Sequence, residues 1–269
     1  MRKLKAHLPP TLIKLLQYSF VAVFWIAVWI IAAQAIGESL LLPTPMAVLK
    51  RLGELCTLPT FWKTVLTSLG RILYGVTVAI LLGLLLAVAT HFVPFLYTLF
   101  YPLITVIRTT PVASFIILAY LWIDRDTLPS FIAVLMVLPV VWANLHEALG
   151  AVDKQLLEMS KAYRFSPWRR FHRIYLPSVA PAFTASCRSS VGLAWKAGVA
   201  AEILIVPLVS IGRMLYESKL YLETTDLFAW TVTVILLSLV LELVLLSVIR
   251  ILGKRRRMQP KKAEVISHG

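Results

Sequence analysis

Several stretches of this chain stay apolar for close to the roughly 20 residues that a helix needs to cross a lipid bilayer. Residues 18–36, 66–90 and 227–249 are the clearest of them. A chain of 269 residues that is 59% hydrophobic and only 15% charged does not read as a soluble domain. Its mean hydropathy of +0.82 points the same way. The expected class is therefore all-α, a polytopic helical membrane protein. A net charge of +14 raises nucleic acid as a partner, but the excess sits in a few segments flanking the apolar runs. That is how membrane topology is written, and no nucleic-acid partner is expected. Cys56 and Cys187 make neither a disulfide framework nor a metal cluster.

Taken in order, residues 1–17 are basic, with Arg2, Lys3, Lys5 and Lys14, and are expected in the cytoplasm. Residues 18–36 form the first span; the run is long and lacks a convincing cleavage site, which favours an uncleaved helix over a signal peptide. Residues 37–62 read as an external connection broken by Pro43, Pro45 and Pro59. The second span, 66–90, carries Gly75, Ala79, Gly83 and Ala87 every four residues, a seam that lets another helix approach closely. Residues 95–123 hold two apolar pieces, each short for a span, separated by Arg108-Thr109-Thr110-Pro111. The tail Lys254-Arg255-Arg256-Arg257 is as basic as the head, so the number of crossings should be even. Counting 95–123 as one interrupted crossing makes six. Asp124-Arg125-Asp126 is then an external turn, and residues 127–145 return to the cytoplasm. Residues 178–206 go out again with a second seam at Ala182, Ser186, Ser190, Ala194 and Gly198. Residues 207–226 are external, with room for a short helix; 227–249 is the last span and 250–269 a cytoplasmic basic tail. The whole chain, 1–269, reads as a single transmembrane domain.

Ionisable residues inside a span face the bundle interior or a wet cavity by default. Arg108 and Thr109 lie at the break in the third span, and Arg188 lies near the middle of the fifth. Trp195 and Glu202 follow Arg188 at intervals of seven and share its face, while Lys196 points about a quarter-turn away. Two readings stay open. In one, these residues make a permeation path favourable to an anion or a polar solute, as broken helices do in transporters. In the other they are structural, with Arg108 satisfying carbonyls freed by the break and Arg188 paired with Glu202 or Glu242.

The only long polar segment between spans is 147–177, EALGAVDKQLLEMSKAYRFSPWRRFHRIYLP. Val152, Leu156, Met159 and Tyr163 recur at helical spacing, which predicts an amphipathic helix. Ser166-Pro167 reads as N-cap and first residue of a second short helix, ended by Leu176-Pro177. Tyr163, Phe165, Trp168 and Phe171 are interleaved with charge, which suits a groove on a soluble partner better than a solvated loop held to anionic lipid.

Glu158-Met159-Ser160, a turn at Arg164, and Ile174-Tyr175-Leu176-Pro177 resemble the EAA loop of ABC-transporter permeases, whose pattern is E-A-A, three residues, Gly, then I-x-L-P. Leu42-Pro43-Thr44-Pro45, Ser68-Leu69-x-Arg71, Arg108-x-x-Pro111 and Trp195 with Ala200-Ala201-Glu202 add to the likeness. Together they resemble the nitrate/sulfonate/taurine branch of importer permeases. One departure stands out: the family's glycine is Arg164 here, where left-handed geometry suits Gly and costs a residue with a Cβ.

The resemblance implies a permease subunit of a bacterial inner membrane importer, multi-pass with both termini cytoplasmic, paired with a second copy. It implies two ABC ATPase subunits that bind ATP and Mg, and an extracytoplasmic solute-binding protein. The coupling element would present Glu158, Met159 and Ser160, apolar contacts from Ala162, Tyr163 and Phe165, the turn at Arg164, and Ser166, Trp168, Arg169 and Arg170. No Walker A pattern, nucleophile elbow or spaced histidine set occurs, so no catalysis and no cofactor are expected in this chain. A channel or secondary carrier for a small anion, using Arg108 and Arg188 as selectivity charges, is the alternative.

Overall fold

The computed structural model describes residues 10–257. Most of the basic head (1–9) and the end of the tail (258–269) lie outside them, as do the side chains of 10–15 and 248–257. Every regular element described is helical. In chain order these are α1 Pro10–Ile36, α2 Pro45–Cys56, α3 Pro59–Phe92, α4 Pro94–Thr109, α5 Val112–Ala119 and α6 Leu128–Gly150. They continue with α7 Lys154–Ala162, α8 Pro167–Arg170, a π-helical turn Phe171–Tyr175, α9 Leu176–Ile205, α10 Ile211–Leu220 and α11 Thr224–Arg257.

Among the described residues four helices are long and apolar enough to cross a membrane: Leu16–Ile36 of α1, Pro59–Phe92, Leu128–Gly150 and Thr224–Ser247 of α11. The pair α4 and α5 makes a fifth if counted as one span, bent by 105° at Thr110-Pro111. The bend falls where expected. Pro111 disfavours a helical Thr110, which is extended at φ −78°, ψ 133°. α9 has ample length, 30 residues, but carries Arg188, Lys196 and Glu202.

Two expectations change here. Residues 37–62 are mostly helical rather than an open connection, because their prolines start helices instead of breaking them. Thr44 caps α2 by accepting from the Ala47 N–H at 3.3 Å, Pro45 is its first residue, and Pro59 opens α3. Part of the expected cytoplasmic head, 10–17, is likewise the start of α1.

The chain packs as two compact units, one drawn from Met1–Trp62 and Met214–Thr233, the other from Lys63–Arg213 and Val234–Gly269. In the first, Arg51 forks onto Asp226 through Nε (2.6 Å) and Nη2 (2.8 Å), a two-point contact that sets direction as well as energy. The Asp226 carboxylate raises the guanidinium pKa above its usual value. Trp29 Nε1 donates to Pro43 O (3.1 Å), and the Phe61 and Trp230 rings lie 5.0 Å apart.

The second unit is built on the two seams. A Cβ added at Gly75 would meet Ser130 O at 2.4 Å, and one at Gly83 would meet Val141 Cβ at 2.9 Å. Ala79 and Ala87 are fully buried. So α3 lies against α6 along its small-residue stripe, with Ser130 Oγ donating to Arg71 O (2.8 Å) across it. On α9, Ser186, Ser190 and Ala194 are fully buried, Asn144 Nδ2 of α6 donates to Ser186 Oγ (3.0 Å), and Gly198 abuts Ile72 of α3. α5 closes the core, with Ile116 packed among Leu128, Ile132, Ala197 and Ala201.

Candidate functional site

The segment 147–177 folds as an elbow. Asp153 Oδ1 accepts from the Gln155 N–H (2.8 Å) and starts α7. The helix ends at Tyr163, and Arg164 then takes φ +49°. Phe165 N–H donates back to Ser160 O (2.8 Å) and Arg164 N–H to Lys161 O (3.0 Å). That pair of bonds is the Schellman ending, which ordinarily places glycine at the left-handed position. Replacement of glycine by arginine therefore leaves the turn geometry intact and loads it with strain instead. Ser166 Oγ then accepts from the Arg169 N–H (3.3 Å), with Pro167 as first residue of α8.

The second helix does not stop at Leu176-Pro177. It widens into the π turn, where Leu176 N–H bonds Phe171 O, and runs on as α9. A π turn shifts the hydrogen-bond register by one residue, which lets the helix absorb a proline that lacks an N–H. Among the predicted coupling residues, Ser160 is buried and Phe165 and Arg170 are half-buried; Glu158, Met159, Ala162, Tyr163, Arg164, Ser166, Trp168 and Arg169 are exposed. Tyr163 and Trp168 are open over 73% and 72% of their surface, so these two aromatics are left uncovered, while Phe165 and Phe171 are half-buried. Trp168 stacks on His172 at 5.1 Å, and the Arg169 guanidinium sits over Phe165 at 5.8 Å. The six cations and three carboxylates of the segment leave it clearly positive.

The expected path residues divide into three places. At the bend, Thr109 and Thr110 hydroxyls donate to Thr105 O (3.0 Å) and Val106 O (2.8 Å). Arg108 is exposed and makes no hydrogen bond or ion pair among the described residues, so it does not serve the carbonyls of the break. Further on, Arg188 Nη2 meets Glu242 Oε1 at 3.3 Å, which settles its partner as Glu242. Arg188, Glu242 and Trp195 line one cavity of about 310 Å3, and Trp195 Nε1 donates to Val234 O (3.1 Å). Lys196 is exposed and is not one of the residues that line the cavity.

Glu202 is elsewhere. It lies 14 residues beyond Arg188, or about 21 Å along a helix. Fully buried, it accepts from Ser68 Oγ (2.8 Å), Arg71 Nη1 (2.9 Å) and the Gly212 N–H (3.2 Å). Ser68 Oγ also accepts from the Ile211 N–H (2.9 Å), so the first two amides of α10 are held by α3 and α9 together. Arg71 reaches Asp126 with its other amino group (2.8 Å). A Cβ on Gly212 would fall 2.3 Å from Glu202 Cβ, which explains the glycine. The sequence carried Ser68 and Arg71 in a motif but gave them no role; nothing in spacing alone joins residue 68 to residue 202. In the turn at 124–127, Asp124 Oδ1 accepts from the Asp126 and Thr127 N–H groups (3.0 Å each). The Thr127 hydroxyl and amide hold its carboxyl below the usual carboxylate range. No group of three His, Cys, Asp or Glu among the described residues is placed to hold a metal ion.

Comparison with known proteins accords with this architecture. Residues 79–258 match the model of the family described as binding-protein-dependent transport system inner membrane component. The chain is 28% identical to the bicarbonate transport system permease protein CmpB of Synechocystis over 59% of its own length and 56% of that protein's. It is 24% identical to the putative aliphatic sulfonates transport permease protein SsuC of Bacillus subtilis, over 76% of this chain and 74% of the relative. The likeness to the taurine transport system permease protein TauC of Escherichia coli runs end to end, 24% identical over 98% of this chain and 96% of that one. All three are named as transport permeases, not enzymes. With two thirds of its length inside the family model, the chain belongs to the binding-protein-dependent transport system inner membrane components.

Proposed function

We propose that the chain is the permease subunit of an ATP-driven importer in a bacterial inner membrane, residues 1–269 acting as one transmembrane domain. Its six crossings are α1, α3, the bent pair α4–α5, α6, α9 and α11, and both termini are cytoplasmic, as even crossing and basic ends require. α9 is the crossing that hydropathy alone passes over, because its polar groups are spent on α3, α6 and α11. A second copy of the chain completes the solute pathway. Two ABC ATPase subunits bind ATP and Mg and hydrolyse the nucleotide, and an extracytoplasmic solute-binding protein delivers a small polar or anionic solute of the nitrate, sulfonate or taurine class.

The observation that carries this reading is the elbow itself. Met159, Tyr163 and Trp168 stand uncovered beside Arg164 and Arg169, on a capped two-helix turn that is continuous with a spanning helix. Such a surface suits a groove on a soluble subunit. As the ATPases close on nucleotide, the two elbows are drawn together and α9 tilts with them, so the pathway opens first to one side and then to the other. Glu158, Met159, Ala162, Tyr163, Phe165 and Trp168 make the contact, Arg169 and Arg170 its rim, while Ser160, Arg164 and Ser166 hold the turn. Along the path, Arg108 beside Thr109 offers a positive charge at the bend with no partner among the described residues, and Arg188, Trp195 and Lys196 a second polar station. Glu202 serves by fixing α10 instead of touching solute.

Tyr163→Asp with Trp168→Asp tests the elbow: the ATPase should no longer co-purify and nucleotide-driven uptake should fall to background, with the chain still monodisperse. Full uptake by that variant would refute the reading and favour a channel or carrier.

A further inference from the structure

The cavity between α9 and α11 holds charges of both signs. Arg188, Ser189 and Trp195 line one side, with Ser238, Leu241 and Glu242 on the other. The Arg188–Glu242 contact is a single one at 3.3 Å, and the two side chains are 55% and 52% exposed. Charge-assisted bonds that hold a fold together run nearer 2.7–2.9 Å. Among the described residues the Arg71 pairs stand at 2.9 Å to the fully enclosed Glu202 and 2.8 Å to Asp126, the Arg51–Asp226 fork at 2.6 Å, and the exposed Arg51–Glu54 pair at 3.1 Å. The Arg188–Glu242 pair is loose by comparison, open to the cavity, and set in a spanning region where unsolvated charges are costly.

We infer that this cavity binds a small zwitterion, its anionic head on Arg188 and its ammonium on Glu242, with the Ser189 and Ser238 hydroxyls as further polar contacts and the Trp195 indole as the apolar wall. A simple anion entering here would meet the Glu242 carboxylate within a few ångströms of its intended partner and be repelled. A simple cation would meet Arg188. A molecule carrying both groups replaces one loose contact by two charge-assisted ones and leaves neither side chain unpaired. At about 310 Å3 the space lies at the low end of small-molecule sites, which limits the ligand to a few heavy atoms between its charges.

The inference deepens the pathway reading above and rests on it for the solute's passage, though not for its binding. It also divides the solutes named for the relatives: an amino-sulfonate fits, whereas bicarbonate leaves Glu242 without a partner. An ethanolamine phospholipid headgroup has the same pair of charges and is the other source of such a ligand.

The test uses the full-length chain in nanodiscs of phosphatidylglycerol, titrated calorimetrically with taurine and with isethionate, which share a sulfonate and differ only in the amine. Taurine should bind tenfold to a hundredfold more tightly, the scale of a lost charged hydrogen bond. Glu242→Gln should abolish that preference, and Arg188→Gln should abolish binding of both. Ser238→Leu fills the cavity with the ion pair intact and should abolish taurine binding, which guards against misfolding of the charge variants. Equal binding of the two probes, no binding of taurine, or a preference that survives Glu242→Gln overturns the inference. Repeating the titration with phosphatidylethanolamine present separates the sources: lost taurine binding assigns the site to the lipid headgroup, retained binding to a free solute. Uptake by the complete reconstituted transporter is read separately, so a site that binds taurine while Glu242→Gln transports normally would remove the pathway reading and leave the site standing.

Discussion

Arg164→Gly should tighten the elbow. In wild type, Arg164 sits at φ +49°, where a residue with a Cβ crowds the following carbonyl at a cost of roughly 1–2 kcal/mol. Glycine removes that cost but frees the unfolded chain, which gives back about 0.4–1 kcal/mol. The remainder is about 0.5–1 kcal/mol in favour of the folded turn, or a twofold to fivefold slower local opening. The bonds to watch are Phe165 N–H to Ser160 O and Arg164 N–H to Lys161 O, since both exist only while residue 164 is left-handed. Hydrogen exchange at the Phe165 amide of the isolated subunit reads that opening directly and avoids any effect of the lost charge on docking. Arg164→Val is the opposing control, because a β-branched residue tolerates the left-handed region worst, and it should speed exchange at the same amide. Unchanged or faster exchange in the glycine variant would refute the argument that the turn is held against strain.

Other expectations follow from the packing. Gly75→Ala puts a methyl 2.4 Å from Ser130 O, a backbone atom that cannot step aside, so the thermal midpoint should fall by an amount corresponding to about 1–3 kcal/mol. Glu202→Ala strips the carboxylate from Ser68, Arg71 and Gly212 at a cost of about 3–5 kcal/mol, and faster exchange at the Ile211 and Gly212 amides should report it before global unfolding does. Because the Asp124 pKa is depressed in the folded chain, its support of the 124–127 turn is complete above the ordinary carboxylate pKa. That support is lost as pH falls through the lower folded value, and the Thr127 amide shift should follow this acid step, with Asp124→Asn removing it. Arg108→Gln, with assembly confirmed, should weaken solute uptake, and unchanged transport and affinity would take Arg108 off the path.

What the sequence made legible was whatever is local or periodic. Gly75, Ala79, Gly83 and Ala87 announced a close helix contact because small residues every four positions have one packing consequence. Thr110-Pro111 announced the bend and Ser166-Pro167 the start of α8 for equally local reasons. Non-local pairing was not legible. Arg188 had two candidate partners at the level of sequence, and the choice of Glu242 depends on where α11 lies against α9. Glu202 looked like a neighbour of Arg188 because a period of seven preserves a face; yet residues on one face of a long helix can serve different neighbours at different heights. Prolines misled twice, at 37–62 and at Pro177, because a proline stops a helix only when it is not in the first turn and no widened turn accommodates it.

The unbroken run from Pro167 through the π turn to Ile205 has a mechanical consequence. Trp168 and Arg188 therefore sit on one continuous helical rod, about 30 Å apart along it at 1.5 Å per residue, with the π turn, Pro177 and Pro181 between them. Each degree by which the rod swings about its Trp168 end carries Arg188 sideways by about 0.5 Å. Glu242 belongs to a different helix, so a swing of only a few degrees changes their 3.3 Å separation by more than a hydrogen bond can tolerate.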